Sequence, residues 1–301
     1  MPPLNALMLN KFINDIRRCV CRDPGRRHFV SHVSQFDLMP AGKSLLHSNH
    51  VIIITGFCVP SKQIGETDGP PGALVLGRSL SLLGKRVTIV SDSYSMPLLE
   101  AGSRALDFEC SLISIPAGKP QADRSIIGLL ESNCPDHLIA IERPGKASDG
   151  HSYSMRGELL DHLIPQLDLF FTHSLAKKTT TIAIGDGGNE MGMGNAYPQI
   201  KQHVPLGKLI GCITPSDHLI PAGVSNWAAY GLAGVLSVLS GLHTLPPTDS
   251  ERKVLEAMVA AGAVDGCTKH AEATVDGLSQ EAYMHAINSI HKTVTEIISG
   301  L

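Results

Sequence analysis

The 301-residue sequence predicts an α/β fold: a mostly parallel, Rossmann-like sheet as the middle of three layers, with helices on both faces. Three observations lead there. Apolar, β-branched runs recur along the chain, helix-like segments separate them, and acidic or glycine-rich sequences follow the runs at their carboxyl ends. Continuous rather than alternating apolar runs mean strands buried on both faces, the habit of parallel sheets joined by helical crossovers.

The elements follow in order. A helical arm is expected at 4–20. Strands are expected at VIIITGF (51–57), RVTIVSD (86–92), CSLISI (110–115), HLIAIER (137–143), LDLFFT (167–172), TTTIAIG (179–185) and KLIGCIT (208–214). Helices are expected in PPGALVLGRSLSLLGK, where Pro70 and Pro71 suit a first helical turn, and in MPLLEAGSRAL and DRSIIGLLESN. From Leu219 to Pro247 there is no Lys, Arg, Asp or Glu, and the stretch is long enough to span a bilayer. Its Asn226, three serines and four glycines, with no closely flanking Lys or Arg, favour a buried helix starting near Pro221 instead. A second arm at 250–300 completes the chain. No linker, repeat or low-complexity segment interrupts it, so residues 1–301 read as one domain.

Composition excludes several function classes. A net charge of -3 gives no general attraction to nucleic acid or acidic lipid. Seven cysteines, an odd number without a CxxC pair, suit small buried side chains in a reducing compartment and argue against secretion and structural zinc. Arg17, Arg18, Arg22, Arg26 and Arg27 gather near the N-terminus, but Asp15 and Asp23 interrupt them; they read as a solvated helix end and turn rather than a targeting segment.

The informative residues lie just after the strands. In a parallel sheet all carboxyl ends open on one edge, where ligands sit at a topological switch point. IGDGGNEMGMGN (184–195) carries five glycines, but their spacing is not G-x-G-x-x-G, and Asp186 would repel a pyrophosphate. Asp186, Glu190 and Asn189 suit a hard divalent cation, an ammonium group or a hydroxyl. GETDGPPG brings Glu66, and Asp68 as either a helix cap or a ligand. IERPGKASDGHSYSMRG brings Glu142 together with Arg143 and Arg156, whose guanidinium groups can grip carboxylates. ITPSDHLIPAGVSNW brings Asp217 and His218, a candidate proton carrier, then Ser225 and Asn226. The two V-D-G triplets at 264–266 and 275–277 are explained by turn formation.

Taken in order, ETDGPPGA, AIERPGKASDG, Y-x-MRG, IGDGGNEMGMGN, TPSDHLI-x-AGVSNW-x-AYGL and TVDG resemble the C-terminal, catalytic-type domain of the D-glutamate cyclase family, from about Arg22 to Leu278. The resemblance implies a lyase that converts D-glutamate to 5-oxo-D-proline and water. Animal members carry a separate N-terminal domain before this one and are mitochondrial, so a mitochondrial matrix or cytoplasmic location is expected.

No roles are carried over from the family, and the assignments come from the residues themselves. Lactam formation must deprotonate an amine, neutralise a carboxylate and bring nitrogen to carbon. Asp186, Glu190, Glu142 and His218 are the expected catalytic residues. Arg143, Arg156, Gly187, Gly188, Asn189, Ser225 and Asn226 are expected to bind substrate, with the glycine N–H groups facing an oxyanion. Glu66, Asp68, Asp186 and Glu190 are expected to hold Mg²⁺ or Mn²⁺, because so many acids would otherwise repel a dianion. No nucleotide cofactor is expected. The expected partner is a small amino acid, with no nucleic acid or membrane and a homo-oligomer as an option. Two other readings remain open: a non-catalytic module binding an amino acid or oxoproline, and a Mg-dependent phosphoryl-transfer enzyme, although GxxxxGK[ST] does not occur.

Overall fold

Six strands hydrogen-bond side by side, all parallel, in a computed structural model that describes residues 6–173 and 178–300. They are β1 (His50–Thr55), β4 (Arg86–Ser91), β5 (Ser111–Ser114), β6 (His137–Ile141), β7 (Thr180–Gly185) and β8 (His218–Pro221). A two-residue hairpin, β2 (Cys58–Val59) and β3 (Ile64–Gly65), follows β1. The sheet order is β5-β4-β1-β6-β7-β8. The chain builds outward from β1 to β5, then returns to place β6 on the other side of β1. The crevice beyond the ends of β1 and β6 is therefore the switch point.

Side-chain alternation along each strand fills both layers. Val51, Ile53, Ile89, Ile139, Ile141, Ile182, Ile184 and Ile220 face one core. That core is shared with α1 (Ala6–Val20), α2 (Leu38–Leu46), α3 (Pro70–Leu82), α4 (Met96–Ala105), α9 (Ser225–Ser240), α10 (Ser250–Ala260) and α11 (Gln280–Ser299). Ile52, Ile54, Val90, Leu138 and Ala140 face the other layer, with α5 (Lys119–Asn133) and α6 (Leu169–Thr172). Farther along that side, Ala183 and Leu219 meet α7 (Tyr197–His203) and α8 (Gly207–Ile210). The doubly wound α/β architecture expected from the sequence is the one observed.

Some elements differ from expectation. LDLFFT is a turn of helix, α6, whose Phe170 inserts into a core. KLIGCIT supplies α8 and then loop, and the sixth strand is His218–Pro221 instead. Both segments are as apolar as a strand, and tertiary packing rather than composition decides their form. The apolar helix starts at Ser225, four residues after Pro221, because Pro221 still belongs to β8. It is buried through almost its whole length, and among the described residues no helix is long and apolar enough to cross a membrane. The arm at 4–20 is α1, its first two positions lying outside the described residues. The arm at 250–300 is two helices, and the loop between them returns to the sheet edge.

Candidate functional site

Glu142 follows β6 at the switch point and is fully buried in the left-handed region, at φ 45. Few side chains tolerate that backbone, and such strain concentrates at sites where geometry matters. Ser225 Oγ donates to Glu142 Oε2 at 2.5 Å. Asp68 reaches the same place from the turn before α3, and Asp186 from the turn after β7. One carboxylate oxygen from each of Asp68, Glu142 and Asp186 lies within 4.8 Å of the others. Three loops distant in sequence thus deliver three buried acids to one point.

Asp68 also holds two helices together. Its carboxylate accepts from the backbone N–H of Ser225 and Asn226, each at 2.9 Å, at the start of α9. Asn226 returns the interaction: its Oδ1 accepts from Gly69 N–H (3.0 Å) and Gly72 N–H (2.9 Å) at the start of α3, and its Nδ2 donates to Thr67 O. Each residue caps the other's helix, which is why both are buried without being orphaned. The helices approach so closely that a Cβ on Gly72 would sit 2.8 Å from that of Ala229.

The glycine loop holds an internal anion. Glu190 Oε1 accepts from Asp186 N–H (2.9 Å) and Gly187 N–H (2.6 Å), and its Oε2 from Gly188 N–H (2.6 Å). This is a nest of backbone donors filled by the protein's own carboxylate. The Gly187 and Gly188 N–H groups are therefore already engaged, and the expected oxyanion contact from them is absent in this geometry. Asn189 donates from Nδ2 to Tyr153 O (2.8 Å), while its Oδ1 is buried without a hydrogen-bond partner.

A single guanidinium enters the acid group. Arg27 pairs with Asp186 through Nη1 and with Asp276 through Nη2 at 2.6 Å. Asp23 shapes its turn, accepting the N–H groups of Arg27 (2.9 Å) and His28 (3.0 Å). Burial opposes the charge on Arg27, but Asp186 and Asp276 outweigh it and hold the guanidinium firmly protonated. Glu66 approaches from beyond β3, its position set by Glu66 N–H to Phe57 O and Thr67 N–H to Val264 O, both 3.0 Å. Its carboxylate lies flat against Gly266, where a Cβ would come within 1.7 Å of Oε2. A side chain there would displace the Glu66 carboxylate.

Burial and crowding push these acids toward their protonated forms. Asp68 is raised to about 7 by burial and Asp276, against the N–H groups of Asn226 and Ser225. Glu142 is raised by burial, then by Glu190 and Asp68. Burial raises Asp186 against the pull of Arg27, and raises Glu66 with help from Asp276 and Asp68. Such a set shares protons as a unit.

A cavity of about 110 Å³ opens onto this group. Arg27, Glu66 and Glu142 form its inner wall; Arg156, Cys267 and Lys269 stand among its lining residues.

Of the residues expected from sequence, Glu66, Asp68, Glu142, Asp186 and Ser225 come together, and Arg156 reaches the cavity. His218 does not. It begins β8, beside Ile182, at the amino edge of the sheet, and Asp217 beside it accepts Thr181 N–H at 2.8 Å. Arg143 is fully buried and turned away: it pairs with Asp92 and donates to Gly56 O (3.1 Å) and Pro165 O (2.6 Å), stitching the ends of β1 and β4 to a loop. Asn226 and Glu190 are engaged in capping and loop closure, as described above.

Arg27 is not in the solvated turn expected but pairs with buried acids, and Asp276, expected only to form a turn, pairs with it; Lys269 is singled out by no sequence signal. Asp265 organises the loop between α10 and α11, accepting from Cys267 N–H, Thr268 N–H, Thr274 Oγ and Gly277 N–H at 2.8–2.9 Å. The TVDG motif was the one available signal for Asp276; composition at Arg27 gave none.

Acids and cations thus converge in a crevice at the switch point of a doubly wound sheet, the place where α/β folds of this kind bind ligands. The chain belongs to the D-glutamate cyclase-like C-terminal family, whose profile matches residues 16–291. Human mitochondrial D-glutamate cyclase is 33% identical over 241 residues, which cover 75% of this chain and 39% of that protein. The chain thus matches well under half the length of this curated relative.

Proposed function

We propose that the chain is a D-glutamate cyclase-type lyase that closes D-glutamate to 5-oxo-D-proline with release of water. The observation that carries this reading is the meeting of Asp68, Glu142 and Asp186 beside Arg27, with Glu142 and Arg27 lining a cavity that Arg156 and Lys269 also border. Similarity to the human cyclase supports it.

The reaction forms a bond between the substrate nitrogen and its side-chain carboxyl carbon, and one carboxyl oxygen leaves as water. The ammonium must lose two protons and the departing oxygen must gain two, one after the other. Asp186, whose ionised form Arg27 favours, is the group we assign to accept the proton from nitrogen. Glu142, raised by burial and neighbouring acids, is suited to deliver one to the departing oxygen. Ser225, bonded to Glu142, holds that carboxyl in place. Confinement in the cleft brings nitrogen to carbon, a contribution of up to roughly 7–11 kcal/mol in the best-oriented cases.

The donor set also fits Mg²⁺ or Mn²⁺: three oxygens within 4.8 Å of one another, from acids that outnumber their one guanidinium. Asp68, Glu142 and Asp186 would hold such an ion, in place of the Glu66–Asp68–Asp186–Glu190 set expected from sequence. When bound it would supply Lewis-acid polarisation of the carboxyl group.

The test is turnover. Purified protein is incubated with D- and L-glutamate, with and without Mn²⁺, and oxoproline is followed by chiral chromatography. D-glutamate is expected to give 5-oxo-D-proline, and Glu142→Gln and Asp186→Asn are expected to lose at least about a hundredfold in rate. Absence of product from either enantiomer under every metal condition discards the cyclase. Thermal stabilisation by D-glutamate without turnover would favour a binding module instead.

A further inference from the structure

We propose that Lys269, with Arg156, docks the α-carboxylate of the substrate at the outer part of the cleft and so selects an amino acid with that group. The inference rests on reading the cleft as the site of a glutamate-like molecule, and it adds a specificity residue to that reading.

Both cations line the cavity, together with Glu158, and among the described residues neither is ion-paired with an acid. Among the described residues Lys269 makes no ion pair and its side chain no hydrogen bond. Arg156 Nη2 donates only to a neutral carbonyl, Cys267 O, at 3.2 Å. That contact joins two loops separated by 111 residues, so the two side chains border the opening together. Arg27, in the same cavity, is by contrast paired with two carboxylates, and the buried Arg143 with Asp92 and two carbonyls.

The backbone at Lys269 is built rather than accidental. It sits in the left-handed region at φ 61, fixed by its own N–H to Asp265 O at 2.7 Å. Asp265 in turn is fully buried and accepts four further hydrogen bonds within the same loop. On the other loop, Ser154 Oγ accepts from Arg156 N–H at 3.2 Å. Two stiff turns therefore present unpaired cations to a cavity whose floor is acidic.

Charge decides the orientation of a glutamate in such a cleft. The amine and side-chain carboxyl react with one another, so both belong at the acids. The α-carboxylate takes no part in bond making and is the one anionic group left to project outward. A guanidinium and an ammonium without partners suit it, and charge-assisted hydrogen bonds of this kind are strong.

Binding rather than turnover tests this, by calorimetry or by ligand-competition NMR up to millimolar ligand. D-glutamate is compared with 4-aminobutyrate, which keeps the amine and reacting carboxyl but lacks the α-carboxylate. Lys269→Ala is expected to weaken D-glutamate at least about tenfold. It should leave 4-aminobutyrate within about twofold of wild type, and Lys269→Arg should restore most of the loss. Wild-type affinity for D-glutamate in Lys269→Ala overturns the proposal. So does an equal loss for both ligands, which marks a merely structural effect. If D-glutamate binds as described but is not converted, the cyclase reading fails and the docking role stands. If the wild type binds neither ligand, both fail.

Discussion

At the scale of single residues, Arg27 is the pivot of the site. Its guanidinium faces Asp186 and Asp276, with Glu142 also within its field, so one positive charge serves several acids that burial already disfavours. Removing one partner of a buried pair leaves the other uncompensated, which costs about 3–5 kcal/mol. Arg27→Gln is expected to destabilise the fold by that order. The sign of the pH effect follows from the acids: without Arg27 their protonated forms become more favoured, so folded pKa values rise further above unfolded ones. Stability from a raised carboxyl is complete below the unfolded pKa and is lost as pH climbs through the folded value. The penalty should accordingly be larger at pH 8 than at pH 5.5, as read from urea unfolding at both. A penalty independent of pH would mean that Arg27 does not govern the acids' titration. Nothing in the bare sequence separates Arg27 from Arg22 or Arg26; its role appears only once the turn shaped by Asp23 lies over the sheet edge.

At the scale of elements, the strand-end motifs were readable and the partners of each motif were not. The runs at β1, β4, β6 and β7 are continuous and largely apolar, so their identity as buried strands and the acids that follow them could be read directly. LDLFFT and KLIGCIT carry the same apolar signal and form short helices, because nothing local distinguishes a buried strand from a buried helical turn. The same limit applies to Glu190, read as a ligand yet spent on the loop's own N–H groups, and to Asn226, read as a substrate contact yet found capping α3. Asn226→Ala would leave the Gly72 N–H without its acceptor and Thr67 O without its donor, both buried, while Gly69 N–H keeps Asp68 Oδ1 at 3.0 Å. Each unsatisfied backbone group costs roughly 1–3 kcal/mol, so a loss of about 3–5 kcal/mol is expected. Thermal denaturation measures it. A loss below about 1 kcal/mol would show that water or rearrangement replaces the reciprocal cap, and that the α3–α9 contact does not depend on it.

At the scale of the whole molecule, burial places acids in two layers of the fold, the first of them beside the cavity at the sheet edge. The second lies inside the helical layer. Glu251 on α10 is completely buried, with Tyr283 of α11 donating to Oε1 at 2.5 Å and Tyr230 of α9 donating to Oε2 at 3.0 Å. Three helices thus converge on one carboxyl. Burial raises it from 4.5 to about 7, against the two tyrosine hydroxyls. Because the folded value exceeds the unfolded one, this group's contribution to stability is intact below about pH 4.5 and is lost as pH rises through about 7. The span corresponds to about 3 kcal/mol. Glu251→Gln keeps the shape and a neutral acceptor, resembling the protonated form at every pH. The site acids add their own pH dependence to both proteins, so the informative quantity is the difference between variant and wild type. Urea unfolding at intervals from pH 4.5 to 8.5 is expected to show that difference moving in favour of Glu251→Gln by about 2–3 kcal/mol, most of it between pH 5 and 7.5. A difference that stays constant across the range would show that Glu251 is ionised when folded throughout, with the two tyrosines sufficient to hold its charge among the three helices.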